Sequence, residues 1–549
     1  MQLLGGQAAF ARILAQHLPG ARQLLADDED EGFTGYGYPR PRRGAKGEYP
    51  KVPSDTGRGL MMSGVFGRNE SFSGTMRRRN KVASRLLQRE LGLANNGRQR
   101  DTNRLISQDL IPSSKADTII HYGSRCYSGQ FSDDGNFFFS CAQDFRVRMY
   151  DTSNPYRWKY YKTVLYPSGQ WTITDASLSP DNKLLAYSSI RNVVCLAPTD
   201  PGETGDPWHL DFSDNRDFLG SFGIWSIRFS GDGREIVAGT SDQTVRVYDI
   251  ESRRTVLKVR GHADDVNAVC FGDSSSPHIL YSGSDDTTLK VWDRRSMGDN
   301  RGAGVFLGHT EGLTYVDSKG DGRYVLSNSK DQTMKLWDLR KMSSPDKLDN
   351  FDPTEYSTGF DYRFEPYVED DYTPHPRDGS LVTFRGHRVL KTLIRCHFSP
   401  PGSTDSRYVY SGSEDGSVYV YNMDATLAGK IDVNEATRTA KGERLRSRHG
   451  SGAWKTCVRD ASWHPYAPVI AATSWNGWRM ASGTCTLHSW NDGMEDDEAE
   501  PKMGTWLDSK LQDNEDESFR PTSGGVHTRS WARAHVLDED DEDSEDDFY

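Results

Sequence analysis

Between Gly261 and Arg340 the chain carries two copies of one pattern. GHADDVNAVCFGDSSSPHILYSGSDDTTLKVWDRR is followed, after a short link, by GHTEGLTYVDSKGDGRYVLSNSKDQTMKLWDLR. Each copy opens on Gly-His, runs through β-branched and aromatic residues, and closes on Trp-Asp-x-Arg. The internal offsets are the same: Ser282, Asp286 and Trp292 in the first copy, Ser327, Asp331 and Trp337 in the second. A self-similar unit of about 45 residues cannot bury its apolar face alone, so it demands an array of like neighbours.

Gly-His early and Trp-Asp late at this period is the signature of WD-repeat propeller blades, each made of four antiparallel strands, a to d. A His before strand a, a Ser on strand b, an Asp in the b–c turn and a Trp on strand c can hydrogen-bond in a row that ties the blade together. His262, Ser282, Asp286 and Trp292 form one such set, and His309, Ser327, Asp331 and Trp337 the next. His, Ser and Asp together invite a reading as a hydrolase triad. A set that recurs from repeat to repeat, with its Ser engaged by a Trp, is read as structural instead, and no catalytic residue is assigned.

The same spacing finds Ser140, Asp144 and Tyr150, then Ala238, Asp242 and Tyr248, then Ser411, Asp415 and Tyr421. Two weaker copies fill the gaps. Ser188 and Asn192 hold their positions with Pro198 in place of the aromatic, and Asn476 holds a turn with Trp490 late, which places Trp490 on strand c after a long b–c turn. Seven turns imply an all-β, seven-bladed WD-repeat β-propeller over residues 105–492. Its insertions fall at about 341–380 and 434–448, and Asp117–Tyr122 supplies the outer strand of the last blade. Strand direction puts the b–c turns on one face and Arg295, Arg340 and the insertion after Arg340 on the other.

The flanks differ from this body. Residues 1–104 read as a mostly disordered N-terminal extension with a short helix at 76–93 and, at 3–25, either a docking helix or a frayed arm. The Gly-, Pro-, Arg- and Tyr-rich stretch to about Arg68 is expected to be unstructured. From Phe33 to Arg104 there are 16 bases against 5 acids, and Arg77, Arg78, Arg79 and Lys81 read either as a nuclear-import tag or as the solvated face of a helix. Residues 493–549 hold 19 acids against 5 bases and read as a disordered acidic tail. Charge concentrated in the tails concerns partners and solubility rather than the fold.

Function classes narrow accordingly. No apolar run approaches the ~20 residues of a membrane-spanning helix, so the expectation is a soluble protein, nuclear and cytoplasmic, with no membrane partner. The basic stretch lacks the interleaved aromatics that would stack bases, and no direct nucleic-acid binding is expected. The seven Cys form no CxxC pair and read as buried thiols, and neither a metal site nor a cofactor is expected.

Trp292-Asp293-Arg294-Arg295 and Trp337-Asp338-Leu339-Arg340 resemble the double box by which WD-repeat substrate receptors dock on the adaptor of the cullin-4 RING ubiquitin ligases. VNAVCF, FRGHRVLKTLIRCHFSP and CVRDASWHP strengthen the likeness to the cullin-4-associated factors. The residues alone allow each arginine simply to pair with its own blade's Asp293 or Asp338; the resemblance implies instead that Arg295 and Arg340, with Asp293 and Asp338, contact the adaptor and cullin-4 RING complex, and that the opposite face takes a protein substrate. Ser153 and Glu251 replace the arginine in the first and third blades. Tyr281, Asn328 and Met334 depart from the box where it prefers aliphatic or small residues. The rival expectation is a ligase-independent scaffold in a nuclear RNA-processing or chromatin assembly.

Overall fold

The computed structural model describes residues 49–67, most of 83–92, and 108–490 apart from 204, 215–221, 274–275, 297–301, 349–350, 369–372, 439–453 and 478–479. The stretch at 3–25, the arginine run at 77–79 with Lys81, most of the second insertion and the acidic tail lie outside the described residues.

Turn chemistry cuts the repeats into strands. In blade four the strands Val266–Asp273, Ser276–Ser284, Leu289–Asp293 and Gly304–Phe306 pair antiparallel in the order a-b-c-d. At the b–c turn the Asp286 carboxylate accepts the Thr288 N–H at 3.0 Å, while Thr287 between them takes φ 68°. Phe145, Gln243 and Gln332 take the same left-handed conformation after Asp144, Asp242 and Asp331, with φ of 62°, 67° and 64°. An Asp side chain that bonds the backbone two residues on makes this turn available to residues other than Gly.

Seven such four-stranded sheets form the ring. The core is divided among the seams. Each pair of neighbouring blades encloses one apolar cluster, and a seventh, around Ile120, Phe138 and Val469, joins the last blade to the first. Blade seven consists of Lys455–Trp463, Val469–Gly477 and Ser482–Ser489, and Ala116–Tyr122 completes it, with Ile119 opposite Thr486 and His121 opposite Thr484. The ring is therefore closed by a strand from the other end of the chain, which leaves no exposed edge at the seam.

Three expectations need correction. Strand c of blade seven begins at Ser482 and ends at Ser489, so Trp490 lies beyond it and is 41% exposed. The ring that Trp292 supplies in blade four is replaced by buried His488, opposite Ile470 as Trp292 is opposite Leu280. The hairpin before it is simply longer, which carries the aromatic out of the expected spacing.

The second correction concerns the insertion after Arg340. It starts on the face of that arginine, with a backbone pair between Val305 and Ser343, but then crosses to the opposite face. There Pro353 accepts from Thr287, Glu311 accepts from Ser357 and Thr358, and Tyr362 accepts from the Lys391 N–H. Its own carbonyls and hydroxyls meet the turns of blades four to six, a set of contacts that strand direction alone does not reveal.

Third, part of the N-terminal stretch read as unstructured is an ordered strap. Ser54 caps a helix, Asp55–Met62, and its N–H donates to Asp424 of blade six at 2.8 Å. Gly57 sits where a Cβ would collide with the Met423 carbonyl, 2.3 Å away, so glycine is required by the close approach. Phe66 is fully buried between Tyr324 and Phe398, with the Lys319 ammonium over its ring. Composition pointed to disorder, yet two or three apolar anchors suffice when a groove between blades receives them.

Candidate functional site

The His–Ser–Asp–Trp tetrads hold the scaffold of the site. In blade four the His262 Nδ1–H faces Asp286 at 2.8 Å, His262 Nε2 lies 2.7 Å from the Ser282 hydroxyl, and Trp292 Nε1–H donates to Ser282 Oγ at 2.8 Å. Blade five repeats the row with His309, Asp331, Ser327 and Trp337 at 2.9, 2.7 and 2.8 Å. All eight side chains are buried. Burial alone would raise the Asp331 carboxyl, but the His309 imidazole beside it and the Thr333 hydroxyl hold it down at about 2. Asp286 is lowered by the same arrangement. Ser282 and Ser327, each accepting from an indole, are engaged on both sides.

Other blades reach the same end differently. In blades one and three an arginine from strand c replaces the histidine: Arg148 pairs with Asp144 and Arg246 with Asp242, both at 2.6 Å. The signal was in the sequence as Asp-x-x-x-Arg. In blade six His387 turns away from Asp415, bonding Tyr421 Oη at 3.2 Å and Asn328 of blade five at 2.9 Å. Asn328, where the repeat pattern prefers a small residue, thus serves as a tie between blades: its amide also donates to the Ile394 carbonyl.

A second network, which the repeat pattern does not encode, lies on the innermost strands. Asp175 of blade two accepts from Arg228 of blade three at 2.6 Å and from Arg395 of blade six at 2.7 Å. Arg395 also reaches Asp460 of blade seven, which accepts from His397 at 2.8 Å. Because blades two and six lie on opposite sides of the ring, this chain of charges spans the central axis. Burial would raise Asp175, but the two guanidiniums bring it down to about 2.

Arg295 and Arg340 follow strand c in adjacent blades and emerge on the face away from the His and Asp turns. Their local settings differ. Arg295 is 64% exposed along its side chain and folds onto its own Asp293 with two bonds of 2.9 and 2.8 Å. In blade five Arg323 occupies Asp338 instead, at 2.8 Å, and only the Arg340 backbone N–H bonds that carboxylate. The Arg340 guanidinium is thereby left to face outward beside Tyr324, the residue against which the strap's Phe66 packs. Arg294, one position earlier, clamps Glu235 of blade three with both guanidinium nitrogens. It was not singled out from the sequence, although a guanidinium next to the box was in plain view.

All seven thiols are buried and unpaired. Among the described residues no cluster of His, Cys, Asp and Glu has the arrangement of a metal site.

The family described as WD domain, G-beta repeat matches residues 117–151, 215–249, 253–293, 303–338 and 379–422, leaving out blades two and seven, whose aromatic positions depart most. The LEC14B protein of Lithospermum erythrorhizon is 42% identical over 403 residues, 71% of this chain and 79% of its own length. The LEC14B homolog of Prunus armeniaca is 42% identical over 364 residues, 64% of this chain and 71% of its own. The DDB1- and CUL4-associated factor 11 homolog of Caenorhabditis elegans is 35% identical over 427 residues, 75% of this chain and 69% of its own. With the repeat spacing, the seven closed blades and the paired Trp-Asp-x-Arg strand ends all in place, the chain belongs to the WD-repeat family that contains the LEC14B proteins and the DDB1- and CUL4-associated factor 11 homologues.

Proposed function

We propose that this protein is a substrate-recognition subunit of a cullin-4 RING ubiquitin ligase, holding the ligase adaptor on the Arg295 and Arg340 face and a protein substrate on the other. The observation that carries this reading is the placement of those two arginines side by side on one face, in a chain whose relatives are named DDB1- and CUL4-associated factor 11 homologues. A planar guanidinium presents a rigid fork to carboxylates and carbonyls, and two on adjacent blades give a bidentate footprint. Arg340 offers its whole fork, while Arg295 offers what Asp293 leaves and is held in position by it.

On this reading the protein contributes no catalytic group. It accelerates ubiquitin transfer by holding a substrate lysine near a charged conjugating enzyme, so effective concentration is its chemical contribution. Affinity purification of the tagged full chain from cells, followed by mass spectrometry, tests the assignment. Adaptor and cullin in near-stoichiometric yield are expected, whereas a stable assembly lacking both identifies a ligase-independent scaffold.

A further inference from the structure

The two strand-end arginines are not equivalent, and the difference starts one residue before strand b. The register pairs Ile279 with Asp293 in blade four and Tyr324 with Asp338 in blade five. The residue before each is therefore the same position, His278 in one blade and Arg323 in the other. The backbone agrees: the Arg294 N–H donates to the His278 carbonyl and the Leu339 N–H to that of Arg323, both at 2.9 Å.

What fills that position decides which guanidinium holds the carboxylate. In blade four His278 stands near Asp293, but no hydrogen bond joins them among the described residues, and the Arg295 fork takes the carboxylate with Nε at 2.9 Å and Nη2 at 2.8 Å. In blade five the same two nitrogens come from Arg323, with Nη2 at 2.8 Å from Asp338 Oδ2 and Nε at 3.3 and 3.2 Å from the two oxygens. The turns themselves match, since the Arg295 and Arg340 N–H groups each donate to their own Asp at 3.0 Å. A ring keeps Arg323 in place. Its guanidinium lies over Tyr324 at 4.6 Å, and Tyr324, 2% exposed, is backed by the strap's Phe66 at 4.9 Å. Ile279 gives His278 no such platform. Arg340 is exposed, and its guanidinium makes no ion pair among the described residues.

We propose that Arg323 is a positioning residue for adaptor binding: by occupying Asp338 it keeps Arg340 from folding back on its own blade. The adaptor then meets one ready fork on blade five and one self-paired fork on blade four. This rests on the receptor reading given above. An arginine already paired with its neighbour must give up that pair before it bonds a carboxylate or carbonyl of a partner, whereas an unpaired guanidinium meets the partner directly. A pair this exposed is weak, so the competition it imposes is a few-fold in affinity rather than orders of magnitude. Arg340 accordingly carries more of the adaptor affinity than Arg295 does.

The test is a pair of double-mutant cycles on the purified full chain, with adaptor affinity read by biolayer interferometry and each melt recorded alongside. Arg323→Ala is expected to weaken adaptor binding about threefold to fivefold. The same change is expected to have no effect in the Arg340→Ala background. Nor should it act in the Asp338→Asn background, where an amide oxygen still accepts the Arg340 N–H but has no charge to capture a guanidinium. If Arg323→Ala lowers the melt, Arg323→Gln, whose stem still covers Tyr324, takes its place. An equal loss in all three backgrounds overturns the proposal, because Arg323 then acts by its own contact or charge. No loss from Arg323→Ala overturns it too, and Arg340→Ala then shows whether the docking face falls with it. A crystal structure of the Arg323→Ala variant gives a readout that does not need the adaptor: Arg340 is expected to fold onto Asp338 as Arg295 folds onto Asp293, and an Arg340 still facing outward overturns the positioning role. Failure of the wild-type chain to bind adaptor removes the receptor reading and leaves that crystal structure to decide the positioning.

Discussion

His262 shows how much one side chain carries. It bonds Asp286 and Ser282 inside a blade from which water is excluded, and removal leaves both partners and the Trp292 indole short of a neighbour. His262→Ala is expected to cost about 1 to 3 kcal/mol, read as a lower melting temperature, because unsatisfied buried polar groups are penalised more than formed bonds are rewarded. An unchanged melt accompanied by loss of a turnover reaction would contradict the structural role. Titration gives a second test at this scale. Burial lowers His375, His387 and His488 to about 4, so folding keeps them neutral while the unfolded chain takes up protons below its ordinary value of 6.5. Their contribution is full above about pH 6.5 and is lost as pH falls toward 4. Asp175 and Asp331, held at about 2, add a further loss between the ordinary carboxylate range and that value. The melting temperature should therefore fall from about pH 6.5 downward, and a flat profile to pH 4 would refute the buried neutral imidazoles. The tetrads were legible because their members recur at fixed offsets. The axial network was not, since Asp175 and Arg395 are 220 positions apart and no pattern links them.

Among the elements the strap is the one most at odds with its composition. Phe66 has no exposed surface, and its ring meets Tyr324 at 4.9 Å. Phe66→Ala is expected to release the strap: truncation of a buried Phe costs roughly 3 to 5 kcal/mol, more than a short helix with few other anchors can recover. Limited proteolysis should then cut between residues 49 and 67 while the blades persist, and a strap equally resistant in wild type and variant would contradict its anchoring. Neither the helix nor its Ser54 cap was read from the sequence, because what orders the strap is a groove made by blades five and six, visible only once the ring exists. The same reason explains the path of the insertion after Arg340. Its departure point is set by strand direction, whereas its destination depends on Thr287, Glu311 and Lys391, supplied by three different connections.

The whole molecule depends on closure. Ala116–Tyr122 is remote in sequence from blade seven yet forms its outer strand, and Ile120 lies in the cluster that joins blades seven and one. Replacing both Ile119 and Ile120, each nearly inaccessible to solvent, with Asp is expected to abolish a single cooperative melt, since like repeats are stable only with both neighbours present. Retention of a sharp transition would show that the ring holds without this strand. The number of blades and the closing segment could be read from spacing alone, because the array must bury every blade face and the last blade lacked a strand after its third. The faces assigned to partners depend on more than the fold. The most direct measurement is the affinity of the purified full chain for the ligase adaptor, compared with the Arg295→Ala, Arg340→Ala double variant and read beside both melts. Loss of two charge-assisted contacts should weaken binding by about a hundredfold or more, with the melt unchanged because exposed strand-end charges add little to stability. Full adaptor affinity in a double variant that melts like wild type would contradict the docking role of this face.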